Sequence, residues 1–334
     1  VGGGFGGLQV ANRLKHSDFQ VVLIDRNNYH QFPPLIYQIA SAGLEPSSIS
    51  FPFRKIYQRR KNFYFRMATV RSIFPEQKIL QTSIGKISYD YLIFAAGTTT
   101  NFFGNKDVEE EAIPMKNVSE AMGLRNALLE NFERAITCAS EQERQELLNV
   151  VIVGGGATGV EVAGALAEMK NYILPKDYPD MDSSLMQIYL IEAGNRLLAA
   201  MDPKNSSHAE QYLREMGVNV MLNKMVTGYE NHRVQLKDGS SIATRTFIWV
   251  SGVAAQPIGN LGNEFLGRGR RIKVDEYNRV IGLDGVFAIG DQSLMTADPK
   301  YPNGHPQLAQ VALQQAKLLA HNLKARLQNQ PESP

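Results

Sequence analysis

Two glycine clusters carry the chemistry that can be read from this chain. Val1-Gly2-Gly3-Gly4-Phe5-Gly6-Gly7 and Val153-Gly154-Gly155-Gly156-Ala157-Thr158-Gly159 both spell GxGxxG. In such a loop the first glycine makes a tight turn and the second lets backbone approach a pyrophosphate. The third lets the following helix pack on the preceding strand. The helix N-terminus then offers free N–H groups and a positive dipole end to phosphate. The binding glycines are Gly2, Gly4 and Gly7 in the first copy and Gly154, Gly156 and Gly159 in the second.

Each loop is followed by an apolar run that ends in an acid: Gln20-Val21-Val22-Leu23-Ile24-Asp25 and Ile188-Tyr189-Leu190-Ile191-Glu192. An acid at this point accepts hydrogen bonds from ribose hydroxyls and repels a 2′-phosphate. Glu192 therefore favours NADH over NADPH, and Arg196 nearby weakens that preference. A single GxGxxG is a weak signal. Two copies, each with its acid-tipped strand, supply the context the motif needs. Two dinucleotide sites in one chain imply FAD plus NADH rather than a simple NAD dehydrogenase, with the flavin carrying the redox chemistry.

The elements that must hold these loops are legible in part. Asn149 to Val153 reads as a buried parallel strand, and Val160, Ala163 and Ala167 recur behind the glycines at helical spacing. Only Val1 precedes the first loop, so the natural chain is expected to carry several more upstream residues. Leu174 to Asp180, rich in Pro and Asp, is expected to be irregular rather than helical. Tyr91 to Thr98, Phe247 to Gly252 and Val286 to Asp291 each read as a strand running into a small-residue turn. Ser119 to Ala135 reads as a helix with Ser119 as N-cap. Asp238-Gly239 reads as a hairpin turn, and Leu308 to Leu327 as a final helix. The fold class is α/β: two Rossmann-like dinucleotide-binding domains, the first discontinuous. Residues 1–118 and 253–334 form the FAD-binding domain, and 119–252 the NAD(H)-binding domain.

Composition excludes several alternatives. The 334 residues suggest two domains, and 35 Lys and Arg against 33 Asp and Glu give no electrostatic case for nucleic acid. The lone Cys138 permits no intramolecular disulfide and no CxxC pair, and it is expected to be an inert helix residue. No run of about 18 apolar residues is present, so no membrane-spanning helix is expected. No metal-ligand constellation is visible.

The whole chain resembles the two-dinucleotide-binding-domain flavoproteins, and specifically the type II (non-proton-pumping) NADH:quinone oxidoreductases. Asp25-Arg26-Asn27-Asn28-Tyr29-His30-Gln31-Phe32, Pro34-Leu35-Ile36-Tyr37-Gln38 and Thr158-Gly159-Val160-Glu161 with Ala163-Gly164 carry the resemblance. Trp249 to Val253, Phe287 to Asp291 and Ala309-Gln310-Val311-Ala312-Leu313-Gln314 complete it. The last of these blocks is the most specific to the family.

The resemblance implies that Gly2, Gly4, Gly7, Asp25 and Arg26 bind the ADP part of non-covalent FAD. It implies that Ala96, Gly97 and Thr98 line the pyrophosphate, that Asp291 holds the ribityl chain, and that Pro34 and Leu35 lie against the isoalloxazine. Gly154, Gly156, Gly159, Glu192 and Gly252 would bind NADH. Glu161, on the first turn after the second loop, would lie near the nicotinamide and act catalytically with Gln310 and Gln314, which would border flavin and quinone. His30 is more readily a structural histidine than a catalytic one. The implied activity passes hydride from NADH to FAD and two electrons to a membrane quinone, without proton pumping. The implied location is the cytoplasmic face of the cell membrane, as a peripheral protein of the respiratory chain, with a homodimer among the assemblies the resemblance allows. Attachment would use a C-terminal segment absent from this chain. A dithiol reductase or sulfide:quinone reductase lacks its cysteines here. An NAD(P)H-dependent reductase of a ferredoxin- or rubredoxin-type protein stays open, as does a non-enzymatic NADH-responsive flavoprotein.

Overall fold

The computed structural model describes residues 1–334. The chain divides into two compact units. Val1–Gln31, Ser50–Thr99 and Val253–Pro334 form one; Phe32–Ile49 and Thr100–Gly252 form the other. Both dinucleotide-type halves are α/β, and both are discontinuous, the second as well as the first. The boundary at residue 118 read from the sequence left residues 32–49 and 100–118 in the first unit. The contacts group them with the second, where the short helix Ile36–Ala40 packs on the helices Val118–Thr137 and Ala157–Glu168.

In the first unit, strand Val21–Asp25 pairs in parallel with Phe63–Met67, and Leu92–Phe94 pairs in parallel with Val286–Ala288. Val1 and Gly2 run between these pairs. The Gly2 N–H donates to the Ile24 carbonyl at 2.8 Å, and the Ala95 N–H donates to the Val1 carbonyl at 2.8 Å. Helix Phe5–Arg13 packs on the long helix Ala309–Leu327. Val10, Leu14, Phe287, Ile289, Ala316, Leu319 and Leu323 fill the space between helices and strands. Truncating one such leucine to alanine costs ~2–5 kcal/mol.

The second unit is built on a five-stranded parallel sheet. Its order is Ile113–Pro114, Thr246–Trp249, Asn149–Val153, Gln187–Ile191 and Val218–Met221. All five residues of Asn149–Val153 are buried, so the strand reads as a continuous apolar run rather than an alternating one. The Asp238-Gly239 hairpin is present between antiparallel strands Arg233–Leu236 and Ser241–Ala243, with Gly239 at φ +86°.

Three local expectations change. The helix beginning near residue 119 spans Val118–Thr137, and its N-cap is Asn117, not Ser119. Asn117 Oδ1 accepts the Glu120 N–H at 3.0 Å, and Glu120 reaches back to accept the Lys116 N–H at 2.6 Å. This reciprocal cap satisfies two N–H groups and moves the start two residues upstream of Ser119. Cys138 lies just past this helix, as its C-cap, not within it. Leu174–Asp177 is a helical turn, continuing Ala157–Glu168 through a π-turn at Met169–Ile173. Pro175 falls in the first turn of that piece, the position in a helical segment that best tolerates proline. No helix is long and apolar enough to cross a membrane.

Candidate functional site: two matched glycine loops

The two loops repeat one backbone design. Gly154 N–H donates to the Ile191 carbonyl at 2.9 Å, and Val250 N–H donates to the Val153 carbonyl at 2.9 Å. These bonds match, position for position, those made by Gly2 and Ala95. Each loop therefore leaves the C-terminal end of a backbone run flanked by strands on both sides, where α/β folds place their ligands. The first glycine needs its freedom. Gly2 has φ +94° and Gly154 φ +121°, and a Cβ would stand 2.3 Å from Ala95 O or 2.8 Å from Ser251 N. A Cβ at Gly7 or Gly159 would stand 1.9 Å from the carbonyl oxygen of Gly2 or Gly154. At Gly4 and Gly156 nothing lies within 4 Å of that position. Those two residues are the N-caps of the helices starting at Phe5 and Ala157, and neither supplies a side-chain cap. The first-turn N–H groups and an uncrowded backbone face the same opening, which suits a pyrophosphate.

The acids are tied to the loops, which the sequence reading did not foresee. Gly3 N–H donates to Asp25 Oδ2 at 2.7 Å, and Asn27 N–H donates to Oδ1 at 2.8 Å. Gly155 N–H donates to Glu192 Oε2 at 2.6 Å, and Gly194 N–H donates to Oε1 at 2.6 Å. Each carboxylate is thus oriented before any ribose arrives, with lone pairs left on both oxygens. A signal was present: the residue inside both GxG motifs is itself glycine. A Cβ at Gly3 would meet the Phe53 ring at 2.1 Å, and one at Gly155 would meet Leu197 Cδ2 at 2.7 Å and Glu192 Cγ at 2.9 Å.

His30 braces the first loop. Its Nδ1 lies 2.9 Å from the Gly3 carbonyl, which requires an Nδ1–H to donate, and its ring meets Phe5 edge-on at 5.8 Å. Burial holds its pKa below the usual histidine value, against the opposing pull of the Gly3 carbonyl and Asp25. This is a structural histidine. Arg26 is exposed.

Ala96, Gly97 and Thr98 follow strand Leu92–Phe94 in the same unit. The Ala96 N–H donates to Gln292 Oε1 at 2.8 Å, and Gln292 Nε2 donates to the Gln256 carbonyl at 3.0 Å. Gln256 N–H returns to the Gly97 carbonyl at 3.0 Å. Gln292 is fully buried and clamps this turn; nothing in its spacing had singled it out. Gly97, at φ +66°, has no atom within 4 Å of its would-be Cβ. Asp291 lies in the short turn Gly290–Gln292, its carbonyl accepting from Gln307 Nε2 at 3.1 Å.

Gln310 and Gln314 are both exposed on helix Ala309–Leu327, which has no side-chain cap at its start. The buried glutamine is their neighbour Gln315, whose Oε1 accepts the Gly290 N–H at 2.7 Å. Gln314 lines a cavity of about 470 Å³ with Gln315, Val311, Leu318, Tyr301 and His305.

In the second unit, Glu161 lies in helix Ala157–Glu168, two residues beyond Gly159 and so on the first turn after the loop. It is exposed, yet desolvation by the surrounding protein raises its carboxyl above the usual value. Gly252 has φ +80° and lies against the Phe103 ring. Pro34 and Leu35 form a 3-10 turn, Pro33–Leu35, grouped with this unit rather than with the first loop. The structure therefore gathers Gly2, Gly4, Gly7, Asp25, Ala96 to Thr98, Asp291, Gln310 and Gln314 in one unit, and Gly154, Gly156, Gly159, Glu161, Glu192 and Gly252 in the other.

Residues 1–316 match the pyridine nucleotide-disulphide oxidoreductase family. The chain is 32% identical over 339 residues to the type II NADH:quinone oxidoreductase Ndh of Mycobacterium tuberculosis, covering 98% of this chain and 72% of that protein. It is 32% identical over 361 residues to the type II NADH:quinone oxidoreductase of Haemophilus influenzae, covering 99% and 80%. Its fold superposes on NDH2 from Plasmodium falciparum in complex with NADH with a TM-score of 0.89 at 24% identity, covering 100% and 85% of the two chains. The chain belongs to the pyridine nucleotide-disulphide oxidoreductase family and, within it, to the type II NADH:quinone oxidoreductases.

Proposed function

We propose that the chain passes hydride from NADH to a non-covalently bound FAD and two electrons onward to a quinone, without pumping protons. The observation that carries this reading is the repeated loop: two cradles in one chain, each with open backbone at its second glycine and an acid fixed beside it. The cradles fit dinucleotides, because the backbone at Gly4 and Gly156 is uncovered beside the free N–H groups of a helix start.

In this reading the first loop, Asp25 and the Ala96–Thr98 turn hold FAD through its ADP half and pyrophosphate, with Asp291 toward the ribityl chain. The second loop and Glu192 hold NADH, with Gly252 toward its nicotinamide half. The flavin would supply the two-electron chemistry that side chains lack. Glu161, whose carboxyl is raised by desolvation, is suited to hold or return a proton more readily than an ordinary exposed carboxylate. Gln310 and Gln314, exposed and one helical turn apart, offer amide donors to a quinone oxygen. A membrane quinone lies in lipid, so we place the reaction at the cytoplasmic surface of the cell membrane.

Stopped-flow absorbance tests the reading. NADH should bleach the yellow flavin, NADPH should bleach it poorly, and a short-chain quinone should restore it. Bleaching without reoxidation by quinone would instead support a ferredoxin- or rubredoxin-type acceptor.

A further inference from the structure

One exposed aromatic ring stands out on the loop after residue 100. Phe103 is 67% exposed and has a left-handed backbone, φ +53°, followed by Gly104 at φ +79°. A bulky residue held in this region costs conformational energy and persists only where its surroundings enforce it. They do so here. Asn101 Oδ1 accepts the Phe103 N–H at 2.9 Å, and the Asn101 carbonyl accepts Trp249 Nε1–H at 2.9 Å. Asn101 N–H donates to the Gly252 carbonyl at 3.3 Å, and Asn105 N–H donates to the Phe102 carbonyl at 3.0 Å. The loop is pinned to the end of strand Thr246–Trp249, and its ring points out.

The ring's position follows from those bonds. Its edge lies 2.6 Å from where a Cβ would stand on Gly252, and its centroid is 6.5 Å from that of Trp249. Gly252 follows Ser251, whose N–H borders Gly154, the first glycine of the second loop. Phe103, Gly252 and Gly154 thus form a short continuous track along the C-terminal edge of one sheet.

We propose that Phe103 contacts the nicotinamide half of the bound dinucleotide, its exposed ring standing beside the Gly252 backbone. This rests on the reading of the second loop as the NADH site. A flat aromatic wall suits a planar nicotinamide ring, which offset-stacked or edge-to-face contact would orient. Glycine at 252 is required on two counts: its φ of +80° and the ring that any side chain would strike.

Trp249 is the only tryptophan of the chain and reports on this loop directly. The experiment titrates the flavin-loaded protein with NAD+ while recording tryptophan emission, then repeats it with ADP-ribose, which lacks the nicotinamide. Phe103→Ala should weaken NAD+ binding about five- to tenfold and reduce the emission change, leaving ADP-ribose affinity unchanged. It should raise KM for NADH more than it lowers kcat, and Phe103→Tyr should restore both. Equal NAD+ affinity in wild type and Phe103→Ala would overturn the proposal, as would equal losses for NAD+ and ADP-ribose. If wild type binds neither ligand, the NADH-site reading itself fails.

Discussion

The carboxylate of Glu192 fastens the glycine loop it faces: Oε2 accepts the N–H of Gly155 at 2.6 Å, while Oε1 accepts that of Gly194 at 2.6 Å. One side chain therefore both shapes the loop and sets its charge. Glu192→Ala would leave two N–H groups without their acceptor, costing ~1–3 kcal/mol for each that water cannot reach. The loss of the negative charge should also narrow the preference for NADH over NADPH by ~10-fold. Chemical denaturation and paired kcat/KM values measure the two effects. An unchanged preference would remove Glu192 from the account of specificity.

The six glycines of the two loops divide into two kinds: a Cβ would strike backbone at Gly2, Gly7, Gly154 and Gly159, and would meet nothing at Gly4 and Gly156. Gly4→Ala and Gly156→Ala add a methyl where nothing lies within 4 Å, so melting temperatures of the ligand-free protein should stay within a few degrees. Dinucleotide binding should fall, for FAD with Gly4→Ala and for NADH with Gly156→Ala. Undiminished retention of flavin by Gly4→Ala would mean that the backbone there does not meet the cofactor.

His30 predicts an acid-sensitive first loop. Its folded pKa lies below the ordinary 6.5, so the unfolded chain takes up the proton first as pH falls. The stability it contributes is complete above 6.5 and is lost below it. His30→Asn, which keeps a donor toward the Gly3 carbonyl, should flatten the dependence of melting temperature on pH between about 5 and 7. Parallel curves for the two proteins would show that another histidine governs this range.

Gln292 joins Ala96, its own turn and Gln256 from a fully buried position. Gln292→Leu keeps the volume and removes both polar groups, leaving the half-buried Ala96 N–H and Gln256 carbonyl unpaired. A loss of ~2–4 kcal/mol in unfolding free energy follows, and flavin content should drop with it. A change under half a kcal/mol would mean that water replaces the side chain.

What the sequence conveyed depended on whether a feature was local. The loops, the acid-tipped strands and the buried run Asn149–Val153 are local patterns, and each lies where its period put it. The cap of the helix Val118–Thr137 was misplaced because Asn117 and Ser119 are both good cap residues; only the reach of Glu120 decides between them. Pro175 suggested a break, and a π-turn upstream let the helical path continue to Asp177. Gln292 and Gln315 escaped notice because their partners, Ala96 and Gly290, lie far away in sequence, and the Gly3 partner of His30 was hidden for the same reason. Gln310 and Gln314 were legible through resemblance alone, since helical spacing marks a shared face and not what meets it.

The central claim is that two cradles in one chain do two separate jobs, and Gly159→Ala tests it most directly. Its added Cβ would stand 1.9 Å from the Gly154 carbonyl oxygen, while the first loop is untouched. The purified variant should keep its yellow flavin. NADH should no longer bleach it at wild-type rates, whereas chemical reduction followed by a short-chain quinone should restore the colour as in wild type. A Gly159→Ala protein whose flavin is bleached by NADH as fast as in wild type would contradict the account.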